Sequence, residues 1–261
     1  MAECLWFLFY DKKLLLLEEA KQFHGIPLSE RAPLPSESRI HDLGHFQGIP
    51  CKALHIAVIP PEFPCALTDL RASYDILGRE LYLLAGKGSQ LIHWDCSTQF
   101  CSWCGAKTHA ATPLSKRCAA CGREFFPLLA TAIIVLVRKG DSILMVRANN
   151  FRGDYYGLVA GFLEPGETLE ECVRREVHEE TGLAVKNIRY FGCQPWPYPN
   201  NFMVGFTADY ASGSICLQEE ELCAGQFFPR NALPNLPPPL SLARQLIDWW
   251  LEHPEDQPPL R

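Results

Sequence analysis

The densest group of chemically capable residues lies in the stretch GFLEPGETLEECVRREVHEETGL, residues 161–183, which holds seven glutamates in 23 positions. Glu176, Glu179 and Glu180 are spaced i, i+3 and i+4, so a helix would present their carboxylates on one face. Like charges this close repel one another, and few Lys or Arg residues lie nearby to offset them. Hard divalent cations with oxygen ligands, Mg²⁺ or Mn²⁺, suit such a face. A solvated, Glu-rich surface helix is the alternative for the cluster taken alone.

The residues around these carboxylates predict the element that carries them. Thr168 with Glu171 three residues later is typical of a helix start, and Gly182 is typical of a helix end. We therefore expect a helix over residues 169–181. The side chains expected to pack this helix on a sheet are Leu169, Cys172, Val173 and Val177.

A loop is expected to precede the helix and to complete the acidic site. Residues 161–166 contain two glycines and a proline, and they can offer backbone oxygens to a cation. Glu167 stands eight residues before Arg175, so a loop–helix arrangement would let the two pair and fix the loop on the helix. Glu170 and Glu171 are expected to face solvent.

Four cysteines form a second chemically capable group, arranged as two C-x-x-C-G units separated by 13 residues. Two tight turns of this kind bring four thiolates to one tetrahedral zinc ion, and a glycine after each pair suits the positive φ of such a turn. With four cysteine ligands no position is left for water, so the predicted zinc is structural. The predicted ligands are Cys101, Cys104, Cys118 and Cys121. Cys96 is expected to be a core thiol, and the basic residues around the cluster (Lys107, Lys116, Arg117 and Arg123) a solvated rim.

The composition is that of a globular protein with room for two compact units, at 261 residues, 48% hydrophobic and 21% charged. The net charge of −6 lies entirely in residues 129–261, because residues 1–128 carry 13 basic and 13 acidic residues. Such a half is a poor partner for a long polyanion and a good place for divalent cations. The apolar start is interrupted by DKK at residues 11–13, which indicates two strands rather than a signal peptide. We expect a cytoplasmic protein without a membrane span, whose cysteines are metal ligands or buried thiols.

The remaining pattern predicts three domains and an α+β fold. Residues 1–95 are expected to be a β-rich domain, residues 96–127 a zinc ribbon, and residues 128–261 a strand-rich domain around the acidic helix. The strands expected in the first domain include CKALHIAVIP and RELYLLAGKGSQLIHW; those in the third are ATAIIVLV, SILMVRA, YYGLVAG, IRYFGCQPW and FMVGFTADY. A last helix is expected over about residues 241–252, with one apolar face formed by Ala243, Leu246, Ile247 and Trp250.

The acidic segment resembles the Nudix box, G-x5-E-x7-R-E-U-x-E-E-x-G-U, in which U is apolar. All positions match: Gly161, Glu167, Arg175, Glu176, Val177, Glu179, Glu180, Gly182 and Leu183. The resemblance implies an α/β/α sandwich with a mixed sheet, and hydrolysis of a nucleoside diphosphate linked to a second group. It implies that Glu176, Glu179 and Glu180 are catalytic and, with Gly161, hold Mg²⁺ or Mn²⁺. Glu167 and Arg175 would be structural members of the box.

A second string, CQPWPYPNN at residues 193–201, resembles the S-Q-P-W-P-F-P-x-S signature of the NADH pyrophosphatase branch. Cys193, Tyr198 and Asn201 depart from that signature. The branch also has a four-cysteine ribbon before the catalytic domain and a divergent N-terminal domain, in the order found here. Its bacterial members remove NAD caps from RNA as well as cleaving NADH.

The branch implies further site residues. Those expected to contact substrate are Phe126, Phe162, Gln194, Pro195, Trp196, Tyr198 and Ala243, and Glu221 is expected to be an additional metal ligand. Phe126 and Phe162 would stack on the nicotinamide or adenine end, whereas core packing and a pocket or dimer role remain equally open for Trp196. Glu219 and Glu220 are adjacent alternatives to Glu221. Family members are homodimers, which implies a homodimer here.

The resemblance implies a metal-dependent pyrophosphatase that cuts NAD(H) into NMN(H) and AMP. It also implies removal of NAD caps from RNA 5′ ends, which leaves 5′-monophosphate RNA. Two alternatives remain: a Nudix hydrolase of another nucleoside diphosphate derivative such as ADP-ribose, and a zinc-ribbon nucleic-acid-binding module with an inert Nudix domain. The intact box weighs against the second, and the Trp-Pro motif weighs against the first.

Overall fold

Two mixed β-sheets organise the chain. The computed structural model describes residues 2–18, 21–151 and 153–254. They divide into two units. The first holds the described residues up to Leu129 together with Trp196–Asn200, and the second holds Ala130–Pro195 and the described residues from Asn201 onward.

The sheet of the first unit has six strands: β1 Cys4–Tyr10, β2 Lys13–Leu17, β3 Leu28–Ser29, β4 His41–Phe46, β5 Ile49–His55 and β6 Cys65–Thr68. Their order is β4-β5-β1-β2-β6, with β3 beside β1. β1 runs parallel to β5, and its pairing with β2 and β3 is antiparallel. The turn between β1 and β2 lies at Asp11 and Lys12, both with positive φ, so the prediction of two strands around DKK is confirmed. A short 3₁₀ turn, Lys21–Phe23, follows β2.

The prediction that RELYLLAGKGSQLIHW forms a strand is wrong. This text lies in α1, Ser73–Ser97, which is interrupted at Gly78 (φ 69°, ψ 173°). Buried residues recur at Leu77, Leu81 and Ala85, a spacing that fits the helical period and that a short apolar run does not reveal. The helix packs closely on β5, because a Cβ at Gly88 would come within 2.9 Å of the Ala53 Cβ. The β-rich domain expected at residues 1–95 is thus a sheet covered by a long helix.

A small three-stranded antiparallel sheet follows α1 in the first unit. Its strands are β7 Thr108–Thr112, β8 Ser115–Cys118 and β9 Glu124–Phe125, in the order β7-β8-β9. The two C-x-x-C-G turns flank these strands, one before β7 and one between β8 and β9. The sheet therefore brings two segments separated in sequence into position to share a ligand.

The second unit has its own six-stranded sheet: β10 Ala130–Lys139, β11 Ser142–Ala148, β12 Val159–Phe162, β13 Ala184–Trp196, β14 Asn201–Ser212 and β15 Leu222–Pro229. The order is β13-β14-β10-β11-β15, with β12 also paired to β10. β10 and β14 are parallel, whereas β10 is antiparallel to β11 and β12. The sheet is mixed, as the Nudix resemblance implies.

Two helices cover opposite faces of this sheet: α2 Leu169–Thr181 and α3 Leu242–Glu252. Side chains of β10 alternate between the two faces, with Ile133 and Val135 packed in the core that includes α2 and Ile134 and Leu136 in the core that includes α3. The expected apolar face of α3 (Ala243, Leu246, Ile247 and Trp250) is buried. The α/β/α sandwich and both predicted helices are confirmed.

Candidate active site and metal centre

The acidic helix α2 begins and ends where its sequence predicts. The Thr168 hydroxyl accepts a hydrogen bond from the Glu171 N–H (3.2 Å), and the Glu171 carboxylate accepts one from the Thr168 N–H (2.7 Å). Gly182 closes the helix in the left-handed conformation (φ 71°), and its N–H donates to the His178 carbonyl oxygen. Cys172, Val173 and Val177 are fully buried and Leu169 is partly buried on the sheet. Glu180 is buried and Glu176 half-buried at the edge of this packed face, whereas Glu179 is exposed.

Glu176 lies against the backbone of β12. An ideal Cβ built on Gly161 would fall 1.8 Å from the Glu176 Cδ, so the carboxyl group occupies the space of the missing side chain. Burial raises the pKa of Glu176, an effect that the neighbouring Arg175 guanidinium partly opposes. Only glycine at position 161 permits this approach of a carboxylate to the strand.

Arg175 is the cation that connects the acidic residues. Its guanidinium makes a two-pronged contact with Glu167 (Nε–Oε2 3.1 Å, Nη2–Oε1 2.6 Å), as predicted from the spacing. The Nη1 atom donates to both Glu176 Oε1 (2.8 Å) and Glu179 Oε2 (3.0 Å). Nη2 also donates to the Phe162 carbonyl oxygen (2.9 Å), which ties the loop to the helix. The expectation that nearby basic residues are too few to offset the glutamates is wrong for Glu176 and Glu179.

The Arg175 contacts perturb the ionisation of Glu167. The paired guanidinium lowers the pKa of Glu167 to about 2, and the Glu164 N–H that donates to the same carboxylate adds to the effect. Glu167 is therefore a permanent anion at physiological pH, and it holds Arg175 in the orientation that reaches Glu176.

Glu180 is the least compensated member of the cluster. Its side chain is 5% exposed, and burial raises its pKa to about 8, with the charges of Glu176, Glu221 and Glu179 adding to the effect. The Glu180 backbone oxygen accepts a hydrogen bond from the Gln218 N–H (3.0 Å), which brings the following loop alongside the helix end. A buried carboxyl surrounded by other carboxylates is a site whose charge a cation would neutralise.

Glu221 lies on this loop, just before β15. Its N–H donates to the Gln218 carbonyl oxygen, and its own carbonyl oxygen accepts from the Asn149 N–H (2.8 Å). The Asn149 side-chain amide donates to the carbonyl oxygens of Glu219 and Glu220, so Asn149 holds all three glutamates of the loop. Asn149 was not predicted from the sequence, because it lies 70 residues before Glu219 and no motif links the two positions.

The carboxylates of the four predicted acidic ligands, Glu176, Glu179, Glu180 and Glu221, are close enough to affect one another's charge, but they do not meet at one point. Among the described residues, only the cysteines form a group of three or more whose ligand atoms all lie within 4.8 Å of one another. Arg175 instead pairs with the Glu176 and Glu179 carboxylates.

The predicted substrate residues of the second unit lie in three places. Phe162, next to Gly161, is 54% exposed and free to contact a ligand. The Gln194 amide donates to the Leu240 carbonyl oxygen (2.7 Å), while its Oε1 atom is buried and has no hydrogen-bond partner among the described residues. Pro195 is exposed, and Ala243 is buried at the start of α3.

The remaining predicted substrate residues belong to the first unit. Trp196 and Tyr198 form an edge-to-face pair with ring centroids 5.0 Å apart, and both are partly exposed. Phe126, after β9, is 57% exposed. Arg71 and Tyr82 contact the Trp196–Tyr198 pair; sequence analysis missed both, because neither stands in a recognisable motif.

The cysteine cluster has the geometry of a zinc site. The Sγ atoms of Cys101 and Cys121 are 3.7 Å apart and those of Cys104 and Cys118 are 3.5 Å apart. A tetrahedron with Zn–S bonds of about 2.3 Å has edges of about 3.8 Å. The glycines that follow each pair, Gly105 and Gly122, have φ values of 74° and 73°, as the turn requires. The Cys121 N–H donates to the Cys118 sulfur and lowers the pKa of that thiol, whereas hydrogen bonding within the cluster raises the pKa of the Cys104 thiol.

One expectation about the ribbon is wrong, and a second fails at one residue. Cys96 is exposed rather than a core thiol. Lys107, Arg117 and Arg123 are exposed, as a solvated rim requires, and the Arg123 guanidinium stacks on Trp103 at 4.0 Å. Lys116 is the exception, because it is buried and paired with Asp95 of α1 (2.9 Å).

Comparison with known proteins matches both parts of the chain. Residues 127–250 match the family model described as a NUDIX domain, and residues 3–94 match that of an NADH pyrophosphatase-like rudimentary NUDIX domain. The chain is similar to the NAD-capped RNA hydrolase NudC of Edwardsiella ictaluri, at 40% identity over 207 residues that cover 79% of this chain and 78% of the relative. The protein of the same name from Yersinia pseudotuberculosis is 39% identical, covering 79% and 77%.

Solved structures support the fold. A Nudix hydrolase from Nitrosomonas europaea aligns with a TM-score of 0.53 at 20% sequence identity, covering 62% of this chain and 96% of that one. Over the described residues, no helix has the length and apolar character needed to cross a membrane.

Proposed function

We propose, from the premise that the chain belongs to the Nudix hydrolase family on the branch of the NudC proteins, that it hydrolyses the diphosphate of NAD(H) to NMN(H) and AMP. We propose the same reaction on NAD-capped RNA, which releases NMN and leaves a 5′-monophosphate end. The observation that carries this proposal is the seating of the Glu176 carboxylate on Gly161 beside Arg175. The exposed aromatic side chain of Phe162, which follows Gly161 in sequence, supports a ligand contact beside the Nudix box.

The acidic residues are suited to hold divalent cations, which we propose are Mg²⁺ or Mn²⁺. Glu176, Glu179, Glu180 and Glu221 are the carboxylate ligands in this proposal, and the Gly161 carbonyl is a further one. A buried Glu180 whose nearest charged neighbours are anions fits a cation better than any other partner. When bound, such cations neutralise the diphosphate and make a water ligand more acidic.

The chain's own residues contribute orientation and proton transfer. Arg175, fixed by Glu167, holds the Glu176 and Glu179 carboxylates on one side of the helix. One of the three box glutamates accepts a proton as the water oxygen bonds to phosphorus. The bond from that phosphorus to the bridging oxygen breaks, and the bridging oxygen leaves with the other phosphate. Phe162 and Phe126 offer flat faces on which a base or a nicotinamide ring can stack.

The four-cysteine cluster is proposed to hold one structural Zn²⁺, since four thiolates leave no ligand position for water. We also propose a cytoplasmic homodimer, by analogy with the family. The domain boundaries 1–95, 96–127 and 128–261 remain our proposed division of the chain.

Product analysis tests the function. The purified protein with Mg²⁺ or Mn²⁺ would be given NADH, ADP-ribose and a short NAD-capped RNA side by side. We expect NMN(H) to be released from NADH or capped RNA faster than ADP-ribose is cleaved. Cleavage of ADP-ribose alone would favour the other Nudix specificity, and no cleavage of any of the three would contradict the proposal.

Two variants of α2 separate chemistry from folding. Glu179→Gln removes an exposed carboxylate of the acidic face and is expected to lower turnover about 100-fold or more without loss of fold. Glu170→Gln, an exposed glutamate of the same helix outside the cluster, is the matched control and is expected to keep full activity. A Glu179→Gln variant that bound capped RNA and still turned it over normally would argue against the proposed site.

A further inference from the structure

The segment Trp196–Asn200 contains WPYPN of the string CQPWPYPNN, and its side chains are held by residues of the first unit. Trp196 ends β13 and Asn201 begins β14, so both ends of the segment continue into strands of the second unit. The contacts of its side chains therefore set the orientation of the Trp196 and Tyr198 rings.

The first contact joins Tyr198 to Tyr82 on α1. Their hydroxyl oxygens are 2.5 Å apart, and either one can be the donor. Tyr82 is 3% exposed, and burial raises the pKa of both phenols, so both are neutral at physiological pH. The hydroxyl of Tyr198 is the group by which this chain departs from the Phe of the branch signature. The structure supplies that additional hydroxyl with a partner.

The second contact is made by Arg71, just before α1. Its guanidinium lies 4.5 Å from the centroid of the Tyr198 ring and 5.3 Å from that of the Trp196 ring. The two rings meet edge to face, and the Tyr198 N–H donates to the Trp196 carbonyl oxygen (2.8 Å). A planar cation in contact with both rings favours one relative orientation of the pair.

The third contact is steric. A Cβ at Gly86 of α1 would come within 3.1 Å of the Pro197 Cγ, so the Pro197 ring packs directly against the helix at this glycine. Pro197 is buried, although it lies between two partly exposed aromatic residues. Hydrogen bond, cation–π contact and close packing thus fix three consecutive residues of the segment from one side.

We infer that Arg71 and Tyr82 are positioning residues, which hold the Trp196 and Tyr198 rings in the orientation that binds the dinucleotide. The inference rests on the proposed function. Neither residue touches the reacting atoms in this account. Their effect is preorganisation: a ring pair already fixed in its binding orientation loses less conformational freedom when the ligand binds.

Removal of the Tyr82 hydroxyl tests the inference. Tyr82→Phe keeps the ring but leaves the Tyr198 hydroxyl without its partner. We expect KM for NADH to rise about fivefold while kcat stays within about twofold, a loss on the order of one hydrogen bond. The double variant Tyr82→Phe/Tyr198→Phe lacks both hydroxyls, so no unpaired hydroxyl remains. Its KM for NADH is expected to fall back by at least half of the rise seen in Tyr82→Phe.

Tyr74→Phe is the matched control. The Tyr74 ring packs edge to face on the Tyr82 ring (5.2 Å), and its hydroxyl makes no hydrogen bond to the segment among the described residues. It is expected to leave KM unchanged. Amide hydrogen exchange of a peptide spanning residues 194–203 gives a readout besides activity: exchange should be faster in Tyr82→Phe than in Tyr74→Phe and the wild type.

The outcomes separate the inference from the proposed function. An active wild type in which Tyr82→Phe matches Tyr74→Phe in both KM and hydrogen exchange would overturn the positioning role alone. A fall in both kcat and the melting temperature of Tyr82→Phe, without a change in KM, would also overturn it, since that combination indicates general destabilisation. A wild type that cleaves neither NADH nor capped RNA would overturn the proposed function and the positioning role together.

Discussion

The carboxyl group of Glu176 occupies the position at which Gly161 would carry a Cβ, 1.8 Å from the Glu176 Cδ. A glycine in a paired strand ordinarily weakens the strand. Here Gly161 leaves room for a side chain of α2, because any side chain at position 161 would displace the Glu176 carboxylate, which Arg175 also holds. The first glycine and the first helical glutamate of the box are therefore one structural unit.

Gly161→Ala is expected to abolish most turnover. The added methyl must move either β12 or the Glu176 carboxyl, and the flexible side chain will yield first. We expect kcat/KM to fall by about 100-fold with only a modest change in the melting temperature, measured by NADH hydrolysis and thermal unfolding. Gly192→Ala is the matched control, since a Cβ there has no heavy atom within 4 Å. Equal activity of the two variants would contradict the assigned role of Gly161.

The pairing of Glu167 with Arg175 predicts how stability depends on pH. The folded-state pKa of Glu167 is lowered to about 2 from an ordinary value of 4.5. A lowered carboxyl pKa stabilises the fold above the unfolded pKa, and the contribution is lost as pH falls from about 4.5 to about 2. The melting temperature of Glu167→Gln should therefore be below that of the wild type at pH 6, and the difference should shrink below pH 4.5. Glu164→Gln, an exposed neighbour, should show no such convergence, and a constant difference for Glu167→Gln would refute the pairing as its cause.

Glu180→Gln is expected to have opposite effects on stability with and without divalent cations. After EDTA treatment mild enough to retain zinc, the amide removes a buried acid whose neighbours are Glu176, Glu179 and Glu221, so the melting temperature should rise by about 2–4 °C. With Mg²⁺ or Mn²⁺ the wild type should be stabilised by ligand binding, and the variant should gain little. Glu170→Gln, on the exposed side of the same helix, should respond to the cations as the wild type does. Equal stabilisation of Glu180→Gln and the wild type would remove Glu180 from the ligand set.

Local signals in the sequence predicted the elements that carry the chemistry. The helix over 169–181 could be placed to the residue because a capping box and a left-handed glycine mark its ends, and both signals depend on a few neighbouring residues. The four-cysteine cluster was equally local, since two turns with fixed spacing define it. Gly105 and Gly122 take the positive φ that these turns need.

Features that depend on long-range packing were not predictable in the same way. The apolar run within α1 has the sequence character of a strand because Gly86 and Gly88 blur its helical period. These two glycines lie in close contact with Pro197 and with Ala53 of β5, contacts that the sequence does not reveal. The hydroxyl pair of Tyr82 and Tyr198 joins residues 116 positions apart, and no spacing rule links them. The pairing of Arg175 with Glu167 was predictable from the spacing, but its contacts with Glu176 and Glu179 were not, because sequence spacing does not show which way a guanidinium turns within a cluster.

The cysteine cluster predicts one zinc ion per chain, separable from the cations of the acidic site. Cys118→Ser removes a buried ligand, so metal analysis should find about one zinc in the wild type and almost none in the variant. Amides of residues 101–121 should then exchange faster, because the two turns lose the link that joins them. Cys96→Ser is the matched control, since this thiol is exposed and outside the cluster. EDTA treatment mild enough to retain zinc should stop NADH cleavage, and Mg²⁺ alone should restore it. Full zinc content in Cys118→Ser, or a wild type that requires added zinc for recovery, would contradict a purely structural four-cysteine site.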